Sequence, residues 1–182
     1  MEKKIIFTGP VGSGKTTAIG TISDIEVVKS EAKATDAVAL RKENTTVAMD
    51  YGVLNLGGGE ALHLYGTPGQ ERFSFMWEIL CKGGMGLIIM LDSARPDPLA
   101  DLDFYLDAFK QFIQGFGSTP AVIVGVTRME IKGSGLRLQD YCQRLQTRNM
   151  TIPVFEVDAR ERKDVKRLLL AMLALLDSST AR

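Results

Sequence analysis

Gly9-Pro10-Val11-Gly12-Ser13-Gly14-Lys15-Thr16 matches the pattern G-x-x-x-x-G-K-[ST] at every position. Chemistry explains the spacing. Glycines let successive backbone N–H groups turn inward around phosphate oxygens. The lysine ammonium adds charge at the β and γ positions, and the final hydroxyl is a hard oxygen donor suited to Mg²⁺. The run Lys4–Thr8 before it predicts a strand, and Lys15 to about Thr21 after it predicts a helix whose N-terminal dipole favours an anion. Thr17, in the first turn of that helix, joins the candidate nucleotide contacts.

Outward from this loop, short apolar runs alternate with helical patterns. Met85–Leu91 and Ala121–Val126 are continuous apolar segments of the kind buried on both faces, and Val154–Val157 is a short last strand. Thr46–Leu54 and Ala61–Tyr65 flank Gly57-Gly58-Gly59 and predict an antiparallel hairpin. Leu99, Leu102, Leu106, Phe109 and Ile113 fall at helical spacing. So do Leu138, Tyr141, Cys142 and Leu145, and then Val165, Leu168, Leu169, Met172, Leu173 and Leu176. Ser23–Asn44 is polar and aperiodic, a loop with at most a partial strand. The expected fold is α/β: a mainly parallel sheet of about six strands, one of them an antiparallel hairpin strand, with helices on both faces. No repeat or linker interrupts residues 1–182, which are expected to form one domain.

Composition narrows the function. Lys+Arg 22 against Asp+Glu 22 gives zero net charge, so the basic surface of a nucleic-acid or polybasic membrane binder is not expected. Two cysteines (Cys81, Cys142) and one histidine (His63) do not make a zinc cage, and all three are read as structural. The longest apolar run, Leu168–Leu176, is too short to span a bilayer. No signal peptide or lipid anchor is read, and the expected compartment is the cytoplasm.

After the Ala61–Tyr65 strand comes Gly66-Thr67-Pro68-Gly69-Gln70-Glu71-Arg72. With the phosphate loop, this segment resembles the Ras-like small GTPases, whose third motif reads D-T-x-G-Q-E. The chain is most similar to the bacterial branch holding conservon-type GTP-binding proteins and gliding-motility switches, and Thr45-Thr46-Val47-Ala48-Met49-Asp50-Tyr51-Gly52 supports that branch. The resemblance implies a GTP/GDP switch that uses Mg²⁺. Gln70 would orient the attacking water, the Gly69 N–H would sense the γ-phosphate, and Thr46 would join Thr16 at the metal. Switch I would be Ser23–Thr46 and switch II Gly66 to about Leu80.

Two positions depart from that family. Gly66 stands where most members carry an aspartate that reaches Mg²⁺ through water, so the metal is held more weakly or an acid from elsewhere substitutes. Val11 replaces a glycine of Ras, which implies crowding at the γ-phosphate and slow intrinsic hydrolysis. Arg41 is either a cis arginine for catalysis or a solvated loop residue.

Base recognition is the next question. After Ala121–Val126, Thr127-Arg128-Met129-Glu130 occupies the place of the family's N/T-K-x-D. Glu130 offers a carboxylate to guanine N1 and N2, and Arg128 offers a guanidinium to stack on the base. Asp158-Ala159-Arg160 occupies the place of S-A-K, with the Ala159 N–H toward guanine O6 and Asp158 supporting the loop. Adenine would leave both mismatched. Phe73–Leu80 is aromatic-rich and marks a partner site on switch II, either with Trp77 as its anchor or with Trp77 packed on the sheet; the resemblance suggests Roadblock-type regulators. Two alternatives stay open: a nucleotide-binding scaffold with little turnover, and a P-loop ATPase or small-molecule kinase.

Overall fold

A computed structural model describes residues 3–32, 47–70, 74–115, 121–131 and 135–180. In chain order the elements are β1 (Lys3–Thr8), α1 (Lys15–Ile22), β2 (Val28–Ala32), β3 (Val47–Gly57), β4 (Glu60–Gly66) and α2 (Ser74–Cys81). There follow β5 (Gly86–Asp92), α3 (Pro98–Ala108), α4 (Lys110–Gly115), β6 (Val122–Thr127), α5 (Leu138–Thr147), β7 (Val154–Glu156) and α6 (Arg162–Thr180).

The described strands form one sheet in the order β2-β3-β4-β1-β5-β6-β7. From β4 across to β7 every pairing is parallel, whereas β2–β3 and β3–β4 are antiparallel. The β3–β4 hairpin turns on Gly57, Gly58 and Gly59, with φ of 88, 61 and 83°, values that side-chain-bearing residues rarely adopt. The strand beyond the expected six is β2. Its alternation of Val28, Lys29, Ser30, Glu31 and Ala32 is too polar to read as a core strand, yet it suits the sheet edge where it lies.

Period-two alternation splits the core between the two faces of the sheet. Ile5, Phe7, Ile88, Met90 and Ile123 point to the face covered by Ala18, Ile19 and Ile22 of α1 and by Val165, Leu168, Leu169 and Met172 of α6. Ile6, Leu87, Ile89, Leu91, Val122, Val124 and Val126 point to the other face, under Trp77, Leu102, Tyr105, Phe109, Tyr141 and Leu145. The run Leu99–Ile113 divides into α3 and α4 at Phe109 (φ −99°, ψ 11°). Phe109 N–H still reaches Tyr105 O at 3.1 Å and Ile113 N–H reaches Phe109 O at 2.9 Å, so the apolar stripe runs on across the break. Hydrophobic spacing has no means of registering such a break.

Cys81 is buried and its thiol is pushed up to about 12 by that burial, consistent with an inert packing group. His63 takes part in a 2.8 Å hydrogen bond with the Tyr51 hydroxyl across the β3–β4 pair. Among the described residues no helix is long and apolar enough to cross a membrane.

Candidate nucleotide site

The chain leaves the carboxyl end of β1, the central strand between β4 and β5, where an open parallel sheet presents a crevice. Gly9 (φ 138°), Gly12 (φ 80°) and Gly14 (φ 95°) carry it around the loop into α1. At Gly9 a Cβ would lie 1.9 Å from the Met90 carbonyl oxygen, so the turn presses on β5 and admits no side chain. Thr127 Oγ1 lies 3.2 Å from Ser13 O and 3.0 Å from Leu91 O, tying the loop to the ends of β5 and β6. α1 begins at Lys15 with no acidic residue in its first turn and no side-chain cap at Gly14, so its dipole is left to an external anion. Pro10 and Ser13 are buried, whereas Val11 stands out at 58% exposure.

Lys15 is buried and bends back over the loop, its Nζ donating to Gly9 O and Pro10 O at 2.7 Å each. Burial lowers its ammonium to about 8, the nearby Asp50 carboxylate opposes that, and Arg95 adds to it. The Thr16 hydroxyl donates to Asp50 Oδ2. Thr17 is exposed on the next position of α1.

The Gly66–Gly69 turn is held from several sides. Thr67 N–H donates to Phe7 O at 2.8 Å, its hydroxyl donates to Thr8 Oγ1 at 2.9 Å, Trp77 Nε1 donates to Pro68 O at 3.0 Å, and the Tyr105 hydroxyl donates to Gly69 O at 3.2 Å. Gly69 lies directly on the phosphate loop: a Cβ there would be 2.6 Å from Val11 N. Gly69→Ala is therefore expected to push the turn off the loop. It should cost about 1–3 kcal/mol by overpacking and cut the preference for nucleoside triphosphate over diphosphate at least tenfold. Thermal melts and paired affinity titrations check both effects. Gln70 follows, exposed at the end of the turn. Thr46 and Arg41, and with them most of the expected switch I, lie outside the described residues, as do residues 71–73.

Beside Gly12 and Gly14 opens a pocket of about 230 Å³ that Thr17, Thr127, Arg128, Glu130, Asp158, Ala159 and Arg160 also line. The two segments singled out for base recognition thus meet at one place, although 26 residues separate Thr127 from the start of β7 at Val154. Ala159 O accepts from the Thr21 hydroxyl at 2.8 Å, and its N–H has no acceptor among the described residues. Asp158 takes a forked bond from Arg160, 2.9 Å from Nε and 2.7 Å from Nη2, and accepts the Arg160 N–H at 3.0 Å. These bonds hold its carboxyl down at about 2. Arg128 adopts positive φ (58°), and its guanidinium is held by the buried Asp92 at the end of β5. The stacking role expected of that guanidinium therefore competes with an ion pair inside the protein.

Three residues at this site escaped the sequence. Asp92 and Asp50 belong to it through strand register, and Tyr105 through the packing of α3. Trp77 is the reverse case. Of its two readings the structure takes the packed one: it is 3% exposed and stacked on Phe109 with centroids 5.2 Å apart, while Phe75 and Ile79 (47% and 55%) form the exposed side of α2. Among the described residues no group of three or more His, Cys, Asp or Glu side chains is arranged to hold a metal.

Residues 25–180 match a family described as conserved hypothetical ATP-binding proteins. An uncharacterized protein of Methanocaldococcus jannaschii is 34% identical over 94 residues, a segment covering 52% of this chain and 53% of that protein. The family match begins beyond the phosphate loop and takes in the Gly66 turn and both segments of the pocket, so loop and family point independently to a bound nucleotide. The chain belongs to the family described as conserved hypothetical ATP-binding proteins, and its fold is that of a P-loop NTPase.

Proposed function

We propose that the protein is a small Ras-like GTPase that binds GTP and GDP with Mg²⁺, hydrolyses GTP to GDP and phosphate, and signals its state through the segments around Thr46 and Gly69. The observation that carries this is the pocket in which Thr127–Glu130 and Asp158–Arg160 converge beside Gly12 and Gly14. The Ala159 N–H suits the O6 acceptor of guanine, and the Glu130 carboxylate suits its N1 and N2 donors; adenine offers a donor at position 6 and no amine at position 2. In this reading Lys15 and the α1 N-terminus hold phosphate, the Gly69 N–H senses the terminal phosphate, and Gln70 orients water. Thr16 and Thr46 would hold Mg²⁺, which would supply neutralisation of charge on the phosphate oxygens. Val11, exposed beside Gly69, fits slow intrinsic turnover. A regulatory protein would meet α2 through Phe75 and Ile79.

An ATPase is the second reading, favoured by the description of the family. Competition of GTP and ATP for the purified protein separates the two. GTP is expected to win by about 100-fold, and Glu130→Ala to weaken GTP by roughly 10–100-fold, from the loss of hydrogen bonds to a charged acceptor, while ATP affinity stays unchanged. ATP winning, with Glu130→Ala silent, assigns the ATPase instead. Single-turnover phosphate release then distinguishes an enzyme from a scaffold.

A further inference from the structure

The proposed site asks for a carboxylate near the metal, and Gly66 has none to give. The antiparallel register sets Asp50 of β3 directly opposite Gly66 of β4, so the two positions share one face of the sheet. A Cβ at Gly66 would lie 3.0 Å from Asp50 Cβ, 3.1 Å from Asp50 Oδ2 and 3.1 Å from Ile19 Cδ1. A side chain at position 66 would press on Asp50 and Ile19, which would have to give by a few tenths of an ångström, so glycine leaves this space to the Asp50 side chain.

We propose that Asp50 supplies from β3 the carboxylate that β4 lacks, acting as a positioning residue that orients Thr16 toward Mg²⁺. The inference rests on the nucleotide–Mg²⁺ reading above, but not on the choice of base. A threonine hydroxyl has one proton and two lone pairs. In this structure its proton is committed to Asp50 Oδ2, which leaves a lone pair free for a hard cation and makes the oxygen a better donor.

The test uses the full chain loaded with fluorescently labelled GDP or ADP, whichever it binds more tightly. Label release is followed while free Mg²⁺ is stepped with EDTA buffers, in wild type, Asp50→Asn, Asp50→Ala, Thr16→Ala and Asp50→Asn/Thr16→Ala. The Mg²⁺ concentration that half-protects the nucleotide is expected to rise by about 10–100-fold in both Asp50 variants, while release in EDTA changes by less than about threefold. Asp50→Asn should add less than about twofold on top of Thr16→Ala, since a residue acting through Thr16 has nothing to orient once that hydroxyl is gone. Asp50→Asn is isosteric and covers the case in which Asp50→Ala fails to fold. An unchanged half-protection point in folded Asp50→Asn, or a full additive effect in the double variant, overturns the proposal. A wild-type protein whose nucleotide release ignores Mg²⁺ altogether overturns the Mg²⁺ reading beneath it.

Discussion

Lys15→Met is expected to lower nucleotide affinity by two to three orders of magnitude and to leave the nucleotide-free protein at least as stable as the wild type at neutral pH. Both effects follow from burial. Lys15 Nζ sits among the loop carbonyls of Gly9 and Pro10, where its charge has lost water and gained only neutral acceptors and the more distant Asp50. A phosphate restores the missing counter-charge, and removing one partner of such a buried, hydrogen-bonded charge pair costs about 3–5 kcal/mol, tenfold in affinity for each 1.4 kcal/mol. In the free protein the same charge is a liability. The unfolded chain keeps the lysine proton up to its ordinary 10.5, while the folded chain gives it up near 8. The unfolded state therefore binds more protons between these values, and stability rises with pH across pH 8 to 10.5. Below pH 8 the penalty is present in full, at most about 3 kcal/mol. Denaturant titrations at several pH values should show wild type gaining on Lys15→Met across that window. Parallel curves, or a variant less stable at pH 7, would mean the lysine is not strained by its burial.

Trp77→Ala should be the most destabilising single truncation on the α2 side of the sheet. The indole stacks on Phe109 at 5.2 Å and meets Tyr105 at 5.5 Å and Phe104 edge-on at 6.1 Å. Deleting so large a buried ring costs about 3–5 kcal/mol, which in a chain of 182 residues lowers the melting temperature by roughly 10 °C. Trp77→Phe keeps most of the packing and removes the Nε1–H donated to Pro68 O, at a cost of about 1–3 kcal/mol. Because that bond reaches the turn holding Gly69, Trp77→Phe should also blunt the difference between diphosphate- and triphosphate-bound forms, read by hydrogen exchange of the Thr67 and Gly69 amides. A full loss of stability in Trp77→Phe would move the weight from packing to the hydrogen bond.

Trp77 also shows where linear reasoning stops. Phe75, Trp77 and Ile79 share one short apolar run, and spacing alone leaves open which side chain meets solvent. The sheet decides it, because α3 and α4 bring Tyr105 and Phe109 over only one side of α2. The lining of the pocket beside Gly12 was legible as two separate segments, since each follows a strand end and its backbone and charged groups are local. Their meeting beside Gly12 depends on β6 and β7 lying next to each other. The ion pair between Arg128 and Asp92 spans 36 residues and has no signature within either stretch.

The phosphate loop, the α/β alternation and the order of the motifs were legible in the residues alone. Each of these is written in consecutive residues: glycines where φ must be positive, an apolar period of two or of about four, a lysine and a hydroxyl at fixed offsets. Which carboxylate meets the Thr16 hydroxyl was settled by the fold. Asp50 lies 34 residues from Thr16, and it reaches that hydroxyl because β3 folds back antiparallel on β4 in a register that sets it opposite a glycine. Local motifs are encoded by neighbours along the chain, whereas the partner of a buried polar group is chosen by strand register, which no single stretch of residues contains.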